Sequence, residues 1–164
     1  MLMSQTLRIY IARHGDASLS KKKDSLQPLS ARGVEEVEKI ALWASLQGIQ
    51  VEQIHHSGIQ RAQESAEIFA KFLHPKSGVL SVSGLMPSDS ARAMAADLTH
   101  ETRTLLLVGH LPFMGLLAEE LIRDNEKLRS VGFPTGGLAG FEYDGKSWTL
   151  ICTITPDKVK LNSN

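Results

Sequence analysis

The run Thr104-Leu105-Leu106-Leu107-Val108 does most to limit how this chain folds. It consists of apolar β-formers without alternation, which suits a central strand covered on both faces. A strand of that kind needs helices above and below it, and the flanking sequence supplies them. Gly109-His110 closes the run, and Pro112–Arg123 begins a helix with proline near its first turn.

The same alternation extends along the chain. Leu7–Ala12 (LRIYIA) reads as the first strand and stops at Arg13-His14-Gly15. Residues 16–29, with Lys21-Lys22-Lys23, three serines and Pro28, have loop chemistry. Ser30 caps a helix whose Val34, Val37, Ile40, Ala41 and Ala44 recur at helical spacing; Glu35, Glu36 and Lys39 are expected to point away, and Gly48 ends it. Val51–Ser57 predicts a second strand, Ile59–Leu73 a helix, Val79–Val82 a brief strand and Ala91–Leu98 another helix. Gly136–Tyr143 and Ser147–Ile154, joined around Asp144-Gly145, predict a C-terminal hairpin. The expected fold is a three-layer α/β/α sandwich with a mainly parallel sheet and an antiparallel C-terminal edge. Without repeats, low-complexity tracts or a long linker, residues 1–164 read as one domain.

Composition narrows the partners. Lys plus Arg equals Asp plus Glu, 18 against 18, so the molecule has no net field and no basic footprint for nucleic acid. Any bound anion is then held by a few converging charges. The N-terminal segment is too short and polar for a signal peptide, and no run of apolar residues is long enough for a membrane span. The lone Cys152 excludes an internal disulfide and reads as a small buried strand residue. The expectation is a soluble protein of the reducing cytoplasm.

His14 and His110 occupy equivalent places, each just after a predicted strand. In open α/β sheets, ligands bind outside the carboxyl ends of the strands, so both imidazoles are expected in one crevice. Arg13 arrives beside His14, and Arg61 sits about one turn into the helix after Ser57, at the same edge. Two guanidiniums and two imidazoles suit a dianionic phosphoryl group, because arginine presents permanently charged planar forks to phosphate oxygens. One imidazole, if neutral, attacks phosphorus while the other donates to the oxygens of the transition state. His55 and His56 are adjacent on a strand and point to opposite faces, a poor chelating geometry, and no ligand cluster suggests a metal.

Arg13-His14-Gly15-Asp16-Ala17, Pro28-Leu29-Ser30 with Gly33, Ser57-Gly58-Ile59-Gln60-Arg61-Ala62-Gln63-Glu64-Ser65 and Leu107-Val108-Gly109-His110-Leu111-Pro112 together resemble the histidine phosphatase superfamily. The pattern is most similar to its small SixA-type phosphohistidine phosphatases, and in spacing it extends over nearly the whole chain. The resemblance implies a phosphoglycerate mutase-like fold and transient phosphorylation of His14. It implies that Arg13 and Arg61 bind phosphoryl oxygens, that His110 stabilises the transferring group, and that no metal or cofactor is needed. It also implies a phosphotransfer protein of a signalling relay as partner.

Two positions depart from the family pattern. Gln27 stands where such relatives carry an arginine, which weakens one phosphate contact or leaves it to another residue. Gly84-Leu85-Met86-Pro87-Ser88 lacks the acid that larger relatives use as proton donor, and Asp89 follows only in the next turn. General acid catalysis is typically worth about 10²–10⁴-fold, and an alkoxide needs it more than an imidazole leaving group does. The missing acid and the lack of a lid-like insertion favour phosphohistidine on a protein over a small phosphorylated metabolite. Two rivals stand beside this reading: a small-molecule phosphomonoesterase or phosphoramidase, and a non-catalytic module that binds phosphorylated partners. Arg61 alone would read as a solvated residue paired with Glu64. Asp16 either orients His14 or forms a turn, and Lys21–Lys23 is a solvated loop or a greeting to an acidic partner.

Overall fold

Ile9, Tyr10, Ile11 and Ala12 are all buried, although alternate strand residues face opposite sides of a sheet. Both faces are therefore covered, and the layers follow from that. The computed structural model describes residues 6–20, 22–123 and 132–160. Strand β1 (Leu7–Arg13) lies parallel to β4 (Leu105–Gly109), with Ile9 opposite Leu105 and Arg13 opposite Gly109. β2 (Gln53–His56) pairs with β4, and β3 (Val79–Ser81) pairs with β2, again in parallel. β5 (Leu138–Tyr143) runs antiparallel to β1, and β6 (Trp148–Ile154) antiparallel to β5. The order across the sheet is β3-β2-β4-β1-β5-β6.

The two faces carry separate cores. Ile9, Ile11, Leu105 and Leu107 pack with α3 (Ala91–Leu98) and α4 (Phe113–Leu121) through Leu98, Phe113, Met114 and Leu117. Tyr10, Ala12, Leu106 and Val108 pack with α1 (Ala31–Leu46) and α2 (Gln60–Leu73) through Val37, Ile40, Ala66 and Phe69. Leu105, Leu106 and Leu107 divide between these cores, so the uninterrupted apolar run is the sequence image of a doubly covered strand. Burial of each such side chain stabilises by roughly 1.5–3 kcal/mol. The sandwich and its antiparallel edge agree with expectation.

The differences are local. The second strand is shorter than Val51–Ser57, because Gly58, at φ 91°, turns the chain immediately after Ser57. Glu36, expected to face outward, is buried. It follows Gly33 by three residues and precedes Ile40 by four, which places it on the inward stripe of α1. There the turn at Gly136 covers it, Arg32 Nε donates to its Oε1 at 2.9 Å, and Oε2 has no partner among the described residues. Cys152 is only half-buried on the edge strand β6, where burial pushes its thiol pKa up. No helix among the described residues is long and apolar enough to cross a membrane. They include no cluster of three or more His, Cys, Asp or Glu placed to hold a metal ion.

Because β1–β4 are parallel, the segments that follow them share one edge of the sheet. That edge receives His14, Ser57, the loop from Val82 and His110. The loop after β1 folds back: Ala17 bridges Leu29, Ser18 N–H donates to the Pro28 carbonyl, and Asp24–Leu26 forms a 3₁₀ turn. Lys22 and Lys23 are exposed on this loop, whereas Lys21 lies outside the described residues.

Candidate active site

Arg13 is the last residue of β1, and its register partner Gly109 is the last of β4. The next residues, His14 and His110, are thereby brought together with ring centroids 5.0 Å apart. Both are buried. The His14 backbone is held on two sides: its N–H donates to Gly109 O at 3.0 Å, and its carbonyl accepts from Gly136 N–H at 3.0 Å. Gly15 lies tight against α1, where a Cβ would come within 2.6 Å of the Gly33 carbonyl. A Cβ on Gly33 would meet the Asp16 carbonyl at 2.1 Å. Neither position has room for a side chain, so the two glycines fix the distance between the Arg13-His14-Gly15 loop and its helix.

His14 Nδ1 lies 2.6 Å from the Gly15 carbonyl oxygen. A carbonyl only accepts, so Nδ1 carries the proton and Nε2 keeps its lone pair. Arg61 Nε donates to that lone pair at 3.3 Å. Burial, the largest cause, together with the charges of Arg61 and Arg13, pushes the His14 pKa down to about 4, against the opposing Gly15 hydrogen bond. His14 is therefore neutral at physiological pH, with Nε2 unprotonated. His110 is pushed down to about 3, chiefly by burial, then by His14 and Arg61.

Arg61 is positioned from α2. Ser65, fully buried one turn further on, donates to the Arg61 carbonyl at 2.7 Å and accepts from Gly15 N–H at 3.1 Å. One hydroxyl so ties the helix carrying Arg61 to the loop carrying His14. The Arg61 guanidinium also reaches Asp24, with Nη1 on its carbonyl at 2.9 Å and Nη2 on its carboxylate at 3.2 Å. The Arg13 side chain is half-buried; Nη1 donates to Phe133 O at 3.1 Å, and Nε is buried without a partner among the described residues. Burial lowers its pKa, opposed by the nearby Glu36 charge. α2 and α4 both begin at this edge without a side-chain cap, unlike α1 and α3, whose first turns are capped by Ser30 and Ser90. In their first turns Ala62 N–H bonds the Ile59 carbonyl and Met114 N–H the His110 carbonyl, and no side chain among the described residues occupies the remaining N–H groups.

Four of the residues expected from sequence, Arg13, His14, Arg61 and His110, meet at this edge. Gln27, the fifth, is half-buried in the loop; it donates its backbone N–H to Asp24 O at 3.2 Å and makes no side-chain hydrogen bond among the described residues. Asp16 does not touch His14: its carboxylate accepts from Ser30 Oγ at 2.7 Å, which is the turn-forming role. Asp89 is likewise engaged in its own turn, accepting from Met86 N–H at 2.8 Å. Glu64 accepts from Leu29 N–H, not from Arg61. Asp24, Ser57 and Ser65 were not expected to touch these groups. Both serines lie inside the recognised motif, but only the packing of α2 against β1 and β4 shows what their hydroxyls bond. Nothing in the sequence near Asp24 marks it as the partner of Arg61.

A neutral imidazole whose unprotonated Nε2 accepts from one arginine, a second imidazole and a second arginine form a site that can serve phosphoryl transfer through a histidine. Comparison with known proteins agrees. The family model of the histidine phosphatase superfamily (branch 1) matches residues 9–82. Phosphohistidine phosphatase SixA of Escherichia coli strain K12 is 31% identical over 119 residues, which cover 70% of this chain and 74% of that protein. The chain belongs to the histidine phosphatase superfamily, and it is a phosphatase. Within it the chain is similar to the SixA type: the structure of the protein histidine phosphatase SixA complexed with tungstate superposes with a TM-score of 0.85 at 26% identity, covering 94% of this chain and all of that one. Phosphoserine phosphatase of Entamoeba histolytica, in complex with 3-phosphoglyceric acid, shares the fold at a TM-score of 0.64 and 15% identity, over 90% of this chain and 96% of that one.

Proposed function

We propose that this chain acts as one cytoplasmic domain that removes the phosphoryl group from phosphohistidine on a protein, with His14 as the nucleophile. The observation that carries the reading is the His14 imidazole, with its proton committed to the Gly15 carbonyl and its unprotonated Nε2 accepting from Arg61 beside His110. In the first step Nε2 attacks phosphorus in line, an N–P bond forms on His14, and the partner's imidazole leaves with the bond electrons and takes a proton from water. In the second step water attacks the phosphorus on His14, the N–P bond breaks with its electrons returning to Nε2, and the proton that water loses goes to the hydroxide left by the first step, releasing inorganic phosphate and the neutral imidazole. Arg13 and Arg61 hold the phosphoryl oxygens, Arg61 exchanging its contacts with Asp24 and with His14 Nε2 for the substrate. His110 donates to the oxygens in the transition state. Gln27 lies on the loop that borders the phosphoryl group and contributes at most a neutral hydrogen bond to it.

Two further observations support a protein substrate. Leu19, Leu26, Met86 and Leu111 are 100%, 51%, 42% and 40% exposed, all on loops that leave the catalytic edge of the sheet. An apolar rim of this kind suits a protein surface better than a sugar or nucleotide. The names of similar proteins, phosphohistidine phosphatase and protein histidine phosphatase, point the same way. One of them is a complex with tungstate, a phosphate-like oxyanion, which supports oxyanion binding by a protein of this fold.

The test is hydrolysis of phosphoramidate, of p-nitrophenyl phosphate and of a phosphohistidine-bearing phosphotransfer domain, by wild type and His14→Ala. Turnover of the P–N substrates that vanishes in the variant is the expected result. Faster turnover of the ester would replace this reading with a small-molecule phosphomonoesterase. Binding without turnover of any of the three would leave a phospho-partner binding module.

A further inference from the structure

Among the described residues His110 makes one side-chain hydrogen bond, and that bond comes from a residue with no assigned role. Ser57 Oγ lies 2.7 Å from His110 Nε2, and both side chains are buried. The same Oγ accepts the backbone N–H of Ile59 at 3.3 Å. With a lone pair occupied by Ile59, the hydroxyl still has one hydrogen to place, and Nε2 of His110 is its only acceptor among the described residues. His110 Nδ1, on the other side of the ring, is buried and without a partner among the described residues.

We infer that Ser57 is a positioning residue: its hydroxyl donates to His110 Nε2 and so fixes His110 as the Nδ1–H tautomer, leaving that N–H as the donor to the phosphoryl oxygens. The opposite tautomer would donate from Nε2 to Ser57 and present a lone pair at Nδ1. A lone pair facing a phosphoryl oxygen repels it, so the tautomer decides whether His110 stabilises or opposes the transition state. Burial, with His14 and Arg61, disfavours a doubly protonated His110, which would otherwise make the tautomer irrelevant. Ser57 holds its place because β2 ends at His56 and Gly58, at φ 91°, turns the chain into α2.

The inference rests on His110 acting as a phosphoryl donor, and its test separates the two claims. Nitrogen-15 NMR of the imidazole rings in the free wild-type protein reads the tautomer without any substrate. The expected result is a protonated Nδ1 and an unprotonated Nε2 on His110; the reverse assignment would overturn the inference even if His14 proves to be the nucleophile. Ser57→Ala is expected to lower kcat for phosphoramidate by about tenfold to 10²-fold with little change in KM, approaching the loss of one transition-state donor. The His110 spectrum of that variant is expected to shift toward the other tautomer, and Ser57→Thr, which keeps the hydroxyl, to restore both. An unchanged tautomer in a folded Ser57→Ala would contradict the assignment, as would a lost kcat that Ser57→Thr leaves unrescued. If the alanine variant does not fold, the wild-type spectrum still decides.

Discussion

The ends of β1 and β4 are neighbours in the sheet, and each delivers a histidine into the same crevice. They fix those histidines by different means. His14 is bonded by the carbonyl of the next residue in its own chain, a partner that no substitution removes. His110 is bonded by a side-chain hydroxyl that arrives from β2. The tautomer of the proposed nucleophile is therefore built into the backbone, and the tautomer we infer for His110 depends on one serine. Both rings are held neutral by burial, so neither adds positive charge to a site already containing two guanidiniums.

Removing each ring in turn breaks that comparison most sharply. His14→Ala deletes the group proposed to form the bond to phosphorus, and kcat is expected to fall on the order of 10⁴-fold or more in steady-state assays. His110→Ala deletes a donor and leaves the nucleophile, so a loss of about 10²–10³ in kcat is expected, with phosphoenzyme still formed slowly. Equal losses in both variants would show that the two histidines do not divide the work in this way.

The shared burial of the rings sharpens the comparison through pH. Both folded pKa values, about 4 and about 3, lie below the ordinary histidine value of 6.5. The unfolded chain therefore binds more protons between pH 6.5 and 4, and stability falls as pH drops through that window. Thermal unfolding from pH 7 to 4 is expected to show a falling Tm, and His110→Gln to flatten part of the slope. Activity needs neutral His14, so kcat/KM for phosphoramidate is expected to stay level from about pH 8 to 5 and to fall only near pH 4.

Smaller changes probe what holds the two strand ends in place. Ser65→Ala leaves Gly15 N–H without its partner beside His14 and is expected to cost about 1–3 kcal/mol in denaturant unfolding. Gln27→Arg adds a guanidinium to the loop above the site. Tungstate inhibition measured at low salt is expected to tighten severalfold at most, because the loop is open to water and screening is strong.

Much of this was legible in the sequence, for a physical reason. The Thr104–Val108 run, the LRIYIA strand and the helical stripes of α1 and α2 are periodicities dictated by burial, and burial determines the layers. Arg13, His14, Arg61 and His110 were legible because they sit at strand ends and helix starts, which the parallel topology collects at one edge. The contacts that depend on approach between distant segments were not. Asp24 reaches Arg61 across 37 positions, Ser57 reaches His110 across 53, and Ser65 reaches Gly15 across 50. Glu36 was misread because a charged residue inside an apolar stripe follows the geometry of its helix and not its own polarity.

The central claim is that His14 Nε2 takes the phosphoryl group. The most direct measurement is rapid quenching of the wild-type enzyme with phosphoramidate at alkaline pH, followed by peptide mapping of the trapped protein. The account predicts a phosphoryl group on His14, stable to alkali and lost in acid, absent from His14→Ala and present in His110→Ala. A phosphoryl group on another residue, or steady turnover with none trapped on His14, would contradict it.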